Sequence, residues 1–135
     1  MNAGWYTGKK VVVTGADGFI GSHLTERLVE MGAEVTVFIK DYSRTPGESE
    51  RKLHNLDYLK ERIRILYGDI SSNDTPDLIK REKPRIVFHL AAEAYVNKSF
   101  LQPREVIRAN VDGTINILHA GLDEEMKPIK GLERI

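Results

Sequence analysis

Short unbroken apolar runs alternate along this chain with longer stretches in which apolar residues recur every three or four positions. The runs at 10–13, 34–39, 62–67 and 85–92 are rich in Val, Ile, Leu and Phe. Continuous apolar character is what a parallel strand covered on both faces requires. After the first run, Ile20, Leu24, Leu28 and Met31 share one helical face, and Gly32 follows where a C-terminal cap belongs. Shorter helices are expected at 51–60 and 77–82. A long one is expected at 104–124, with the apolar face Val106, Ile107, Val111, Thr114, Ile117, Leu118 and Leu122. Segments 41–49 and 126–131 read as polar loops, and 132–135 opens a fifth strand. Strands alternating with helices predict right-handed crossovers on one parallel sheet, an α/β fold.

Composition changes this picture mainly by exclusion. A length of 135 residues suits one domain with a core of its own. Twenty basic residues balance twenty acidic ones, so no excess field draws a nucleic acid. There is no cysteine, which excludes disulfides, thiolate metal sites and a cysteine nucleophile, and fits a reducing compartment. No segment approaches the roughly 20 apolar residues of a membrane span, and MNAGWYTGKK leads into no apolar signal core. A soluble, cytoplasmic protein is expected. His23, His54 and His119 lie on helices without metal-type spacing, so no metal site is expected. His89, in a buried strand, reads as a core histidine with its hydrogen bonds satisfied.

The candidate chemistry begins at TGADGFIGSHL, directly after the first strand. A helix N-terminus presents unpaired N–H groups and partial positive charge, which suits a phosphate. Gly15 allows a sharp turn off the strand, Gly18 lets a pyrophosphate approach the backbone, and Gly21 lets the helix pack closely. Strand, glycine turn and amphipathic helix together point to dinucleotide binding.

Four motifs in order, TGADGFIGSHL, GDI (68–70), HLAAEAYVNKS (89–99) and NVDGTINIL (110–118), make the chain resemble the extended short-chain dehydrogenases/reductases. Within them it is most similar to the NAD(P)-dependent nucleotide-sugar epimerases and dehydratases. The resemblance implies a Rossmann-type doubly wound parallel sheet, truncated after about four strands. It implies that the backbone from Ala16 through Gly18, Phe19 and Ile20 to Gly21 holds a pyrophosphate. Asp69 would accept from the adenine amino group and the Ile70 N–H would donate to the ring; a turn cap is the competing role for Asp69. Leu90, Ala91 and Ala92 would run beside the ribose and nicotinamide half. Asn110 would bond the backbone of the loop after strand four and so shape the cofactor site, or serve as a packing hydrogen bond. Tyr95 and Ser99 are the weaker candidates for contact with the sugar nucleotide.

At the end of strand two, Ile39 stands where many NAD-binding relatives carry an acidic ribose ligand. Lys40 and Arg44 are suited to a 2′-phosphate, as in NADP-using members resembling the GDP-mannose dehydratases. A one-residue shift would make Asp41 the ribose ligand. The balance favours NADP over NAD. The family's base, a tyrosine with a lysine four residues on, is matched literally only by Tyr6 and Lys10, ahead of strand one and off any helix. No catalytic residue is therefore expected here. Residues 1–135 read as the N-terminal part of an NAD(P)-binding domain without its C-terminal substrate region. The full-length enzyme would act on a nucleoside-diphosphate sugar, and the chain alone would be inactive. Strand four, left as an edge, would promote self-association, or the chain would form a family-type homodimer. The alternative is a non-catalytic NAD(P)-binding regulatory module.

Overall fold

A computed structural model describes residues 3–41 and 53–135. Four parallel strands form one sheet in the order β3-β2-β1-β4. They are β1 (Lys10–Thr14), β2 (Glu34–Lys40), β3 (Arg64–Gly68) and β4 (Ile86–His89). In register, Val12 lies opposite Thr36 of β2 and Val87 of β4. β1 is central and its four residues Val11–Thr14 are buried, as its unbroken apolar run requires.

Alternation along the strands sorts the core into two layers. Val11, Val13, Val35, Val37 and Ile39 face one side, where α1 (Phe19–Glu30) contributes Leu28 and Val29. Leu53, Leu56 and Leu59 close that layer from the segment between β2 and β3. Val12, Phe38 and Val87 face the other side, against Ile79 of α2 (Thr75–Arg81) and Ile117 of α5 (Gly113–Ala120). Helices on both faces of a parallel sheet make this a Rossmann-type α/β domain.

Several sequence expectations change at the level of elements. β4 ends at His89, and residues 90–95 continue as an extended loop. The described part of 51–60 holds no α-helix but a 3₁₀ helix at Asp57–Arg62. The long helix expected at 104–124 is preceded by α3 (Val96–Leu101). It is itself divided into α4 (Pro103–Ile107), a π-helical turn (Arg108–Asp112) and α5. Its expected apolar face is only partly buried. Ile117 is fully covered, whereas Ile107, Val111 and Leu118 are exposed, because the π turn rotates the two halves relative to one another. Ile20 is likewise exposed, because it sits in the first turn of α1, past the end of β1. Residues 132–135 contribute one parallel bridge, Ile86 to Arg134, beside β4 rather than a full fifth strand. Among the described residues, no helix is long and apolar enough to cross a membrane.

Candidate functional site

The turn after β1 explains its glycines by contact. Gly15 has φ +66°, and a Cβ there would lie 2.7 Å from the Ala91 nitrogen. The turn therefore presses against the loop after β4, and an L-residue would be strained as well as crowded. A Cβ on Gly21 would overlap the Gly15 carbonyl oxygen, so α1 packs directly onto the turn. Gly18 occupies the N-cap position in extended conformation without a side-chain cap, and its carbonyl accepts the Ser22 N–H at 2.9 Å. The first-turn N–H groups of α1 are thus not satisfied by a capping side chain, the arrangement that suits an anion.

An open cleft of about 900 Å³ lies at the carboxyl ends of the strands. Its walls are Gly15, Asp17 and Gly18 from the turn, Phe38 and Lys40 from β2, Gly68 to Ser71 at and after the end of β3, and Leu90 to Tyr95 after β4. Asn55, Lys98, Glu105, Arg108 and Ala109 complete it. Clefts at this end of a doubly wound sheet are where ligands bind.

The loop after β4 is shaped by a chain of hydrogen bonds. The Thr14 hydroxyl accepts the N–H groups of Leu90 (3.2 Å) and Ala91 (3.1 Å), which occupies both its lone pairs. Its own proton is therefore directed to His89 Nδ1, 2.8 Å away. That makes Nε2 the protonated nitrogen, donating to Thr114 Oγ1 at 3.1 Å, and Thr114 in turn donates to the Asn110 carbonyl at 2.7 Å. Burial holds His89 below its ordinary pKa, in keeping with a ring whose Nδ1 has no acceptor to face. Both ring nitrogens are thus paired, as expected, but His89 is half-buried rather than part of the core.

Asn110 makes the contact expected of it. Its Oδ1 accepts the Glu93 N–H at 2.7 Å and its Nδ2 donates to the Glu93 carbonyl at 3.0 Å. Six positions on, Asn116 does the same for the other wall, its Nδ2 donating to the carbonyls of Ile70 (2.9 Å) and Ser72 (2.8 Å). Gly113 allows this approach, since a Cβ there would lie 2.8 Å from Ile70 Cγ2.

Two carboxylates of the cleft are held by neighbouring donors and cations. Burial raises the Asp69 carboxyl, but the Ser71 N–H (2.9 Å) and hydroxyl (2.8 Å), with Lys40 and Arg108 nearby, outweigh it and leave the group below its ordinary pKa. Asp69 therefore forms the turn cap that competed with its adenine role, while still lining the cleft. Burial likewise raises Glu93, and the Lys98 ammonium at 2.7 Å more than offsets it.

The other expected site residues are distributed unevenly. Gly15, Gly18, Lys40, Asp69, Ile70, Leu90, Ala91, Ala92 and Tyr95 line the cleft. The side chains of Phe19 and Ile20 do not line it and are exposed; their expected contribution is the backbone of the first turn of α1, next to Gly18. Ser99 is not in the lining either, and its hydroxyl is turned back to the Val96 carbonyl at 2.6 Å. Arg44 lies outside the described residues. Asp41 sits just past β2, and its N–H donates to the Gly68 carbonyl. Asn55, Thr14, Glu93, Arg108 and Asn116 were not singled out from sequence. For Asn116 a signal existed: it is the second amide of NVDGTINIL.

A sequence model described as GDP-mannose 4,6 dehydratase matches residues 12–130, most of the chain and every wall of the cleft. The chain belongs to the GDP-mannose 4,6 dehydratase family. Within that family's wider circle, it is 36% identical to the CDP-glucose 4,6-dehydratase of Salmonella typhimurium, over 87% of this chain and 32% of that protein. Among solved structures, an epimerase of Methanothermobacter thermautotrophicus superposes with a TM-score of 0.72 at 31% identity, over 88% of this chain and 33% of that one. The UDP-glucose 4-epimerase of Thermus thermophilus, solved as a complex with NAD, gives 0.63 at 29% identity, over 82% and 33%. The chain thus spans about one third of the length of these relatives. The match begins inside β1, so the dehydratase-family region includes the glycine turn and both amide-clamped loops.

Proposed function

We propose that this chain is the N-terminal, dinucleotide-binding portion of a nucleotide-sugar epimerase or dehydratase, whose reaction begins with hydride transfer from a sugar carbon to a nicotinamide. The observation that carries this is the pressing of the Gly15 turn onto Ala91, which puts an uncapped helix start and a wall of small residues on one cleft. That cleft suits a pyrophosphate at Gly18, an adenine toward Asp69 and Ile70, and a nicotinamide half beside Leu90–Ala92. The NAD complex of the Thermus thermophilus relative supports a nicotinamide cofactor.

For the 2′ position, NADP remains favoured. Ile39 brings no carboxylate to the cleft, being buried in the core, and Lys40 lines the wall. The substrate of the whole enzyme would be a nucleoside-diphosphate sugar, with Tyr95 at its entrance. The 135 residues alone would bind cofactor without turnover, because Tyr6 is packed in the core beside Trp5 and lies outside the cleft lining. Self-association through the β4 edge, or as a homodimer, completes the reading.

Titration calorimetry with NAD and NADP tests it. Saturable binding of at least one is expected, with no reduced nicotinamide formed on adding nucleoside-diphosphate sugars. A folded chain that binds neither would overturn the reading.

A further inference from the structure

Ile39 occupies the strand position from which a carboxylate would hold a ribose 2′-hydroxyl and repel a 2′-phosphate. Its side chain is 3% exposed, sealed in the core with Leu53, Leu56 and Leu59. It can neither hold a 2′-hydroxyl nor repel a 2′-phosphate. The same packing delivers a different group to the cleft. Leu53 and Leu56 are both buried, and between them Asn55 reaches the cleft wall.

Asn55 Nδ2 donates to the Asp17 carbonyl at 2.8 Å, which ties the segment after β2 to the glycine turn. This bond orients the amide. Among the described residues no hydrogen bond is recorded to its Oδ1, and Nδ2 keeps a second hydrogen. A ribose joining a pyrophosphate at Gly18 to an adenine at Asp69 would lie in the cleft whose wall this amide shares with Phe38 and Lys40 of β2.

We propose that the Asn55 carboxamide reads the 2′ position of the adenosine ribose and, being donor and acceptor at once, admits either a hydroxyl or a phosphate. The inference rests on the dinucleotide reading above and deepens it. Oδ1 accepts from a 2′-hydroxyl, and the second Nδ2 hydrogen donates to a 2′-phosphate. A carboxylate could do only the first, and would repel the second by like charge. Lys40, on the same cleft, adds positive charge that it shares with Asp69 and Glu93, so it tilts the choice toward phosphate without dictating it.

The test is calorimetry of NAD and NADP on the wild-type chain and on Asn55→Asp, Asn55→Ala and Asn55→Ser, with circular dichroism to establish folding. The wild-type dissociation constants are expected within about tenfold of each other. Asn55→Asp should move the ratio against NADP by about tenfold or more. Asn55→Ser, which keeps a donor and an acceptor, should preserve the ratio, and Asn55→Ala should weaken both ligands alike. If Asn55 only tethers the turn, all three variants weaken both ligands equally and the ratio stays fixed, which overturns the inference while leaving dinucleotide binding intact. A wild-type preference beyond about a hundredfold overturns it too. A folded chain binding neither dinucleotide overturns the cofactor reading and this inference together.

Discussion

At the scale of single residues, two positions carry most of the site's geometry. Gly21 has no room for a methyl group because the Gly15 carbonyl already fills that space. Gly21→Ala should therefore shift α1 off the turn and cost roughly 1–3 kcal/mol, as overpacking does. Urea midpoints, compared with Gly4→Ala, where nothing lies within 4 Å, would check it. His89 gives a pH signature. Its folded pKa is lowered by burial, so the folded state binds fewer protons than the unfolded state below the ordinary histidine value. Its contribution is full above about pH 6.5 and is lost as pH falls from there through the folded value. Denaturation midpoints measured from pH 7.5 down to 5.5 should fall for wild type and fall less for His89→Gln. Equal slopes would mean that Thr14 and Thr114 accommodate the imidazolium.

At the scale of elements, the helical run from Pro103 to Ala120 acts as a clamp. Asn110, inside the π turn, holds the loop after β4, and Asn116 holds the loop after β3. A π turn inserts extra backbone and so changes which residues share a face. Here it brings Asn110 onto Glu93 while the Thr114 hydroxyl bonds the Asn110 carbonyl. Asn110→Ala should leave the Glu93 N–H and carbonyl unpaired, at about 1–3 kcal/mol. Amide exchange at Glu93 should accelerate selectively, with the Ile70–Ser72 wall unchanged. Uniform acceleration of both loops would argue against two independent clamps. This region also shows what sequence can and cannot disclose. The strands were legible because a buried parallel strand needs an unbroken apolar run, as in Lys10–Thr14. The glycine turn was legible because close approach admits only glycine, as at Gly15 and Gly21. The π turn was not, since Ile107, Val111 and Leu118 continue the ordinary helical spacing and only the geometry shows them exposed. Asn55 was not, because its partner Asp17 is 38 residues away and no local pattern links them.

At the scale of the whole molecule, the sheet has two edges, β3 and β4, and next to β4 the C-terminal segment makes a short contact. The Arg134 carbonyl accepts the Val87 N–H at 3.0 Å, and the Glu133 N–H donates to the Arg85 carbonyl at 2.7 Å. Glu133 pins this segment with its carboxylate, bonding Lys9 at 2.9 Å and pairing with Arg85. Beyond Val87 the edge is left to Phe88 and His89, both only partly buried. An uncovered parallel edge is a template for pairing with another chain. Glu133→Ala should therefore release the segment, speed amide exchange at Val87 and raise the apparent mass in sedimentation velocity. Acid should do the same to wild type. The Lys9 hydrogen bond, with Arg85 adding to it, holds the Glu133 carboxyl below its ordinary pKa. Its ion pairs are thus intact above about pH 4.5 and are lost as pH falls through the lower folded value. Wild type should approach the mass distribution of Glu133→Ala over that interval, and the variant should change less. If Val87 exchange accelerates while the mass stays monomeric, the edge is exposed without being adhesive, and oligomerisation of this chain would have to use another surface, such as the exposed apolar residues of α4 and α5.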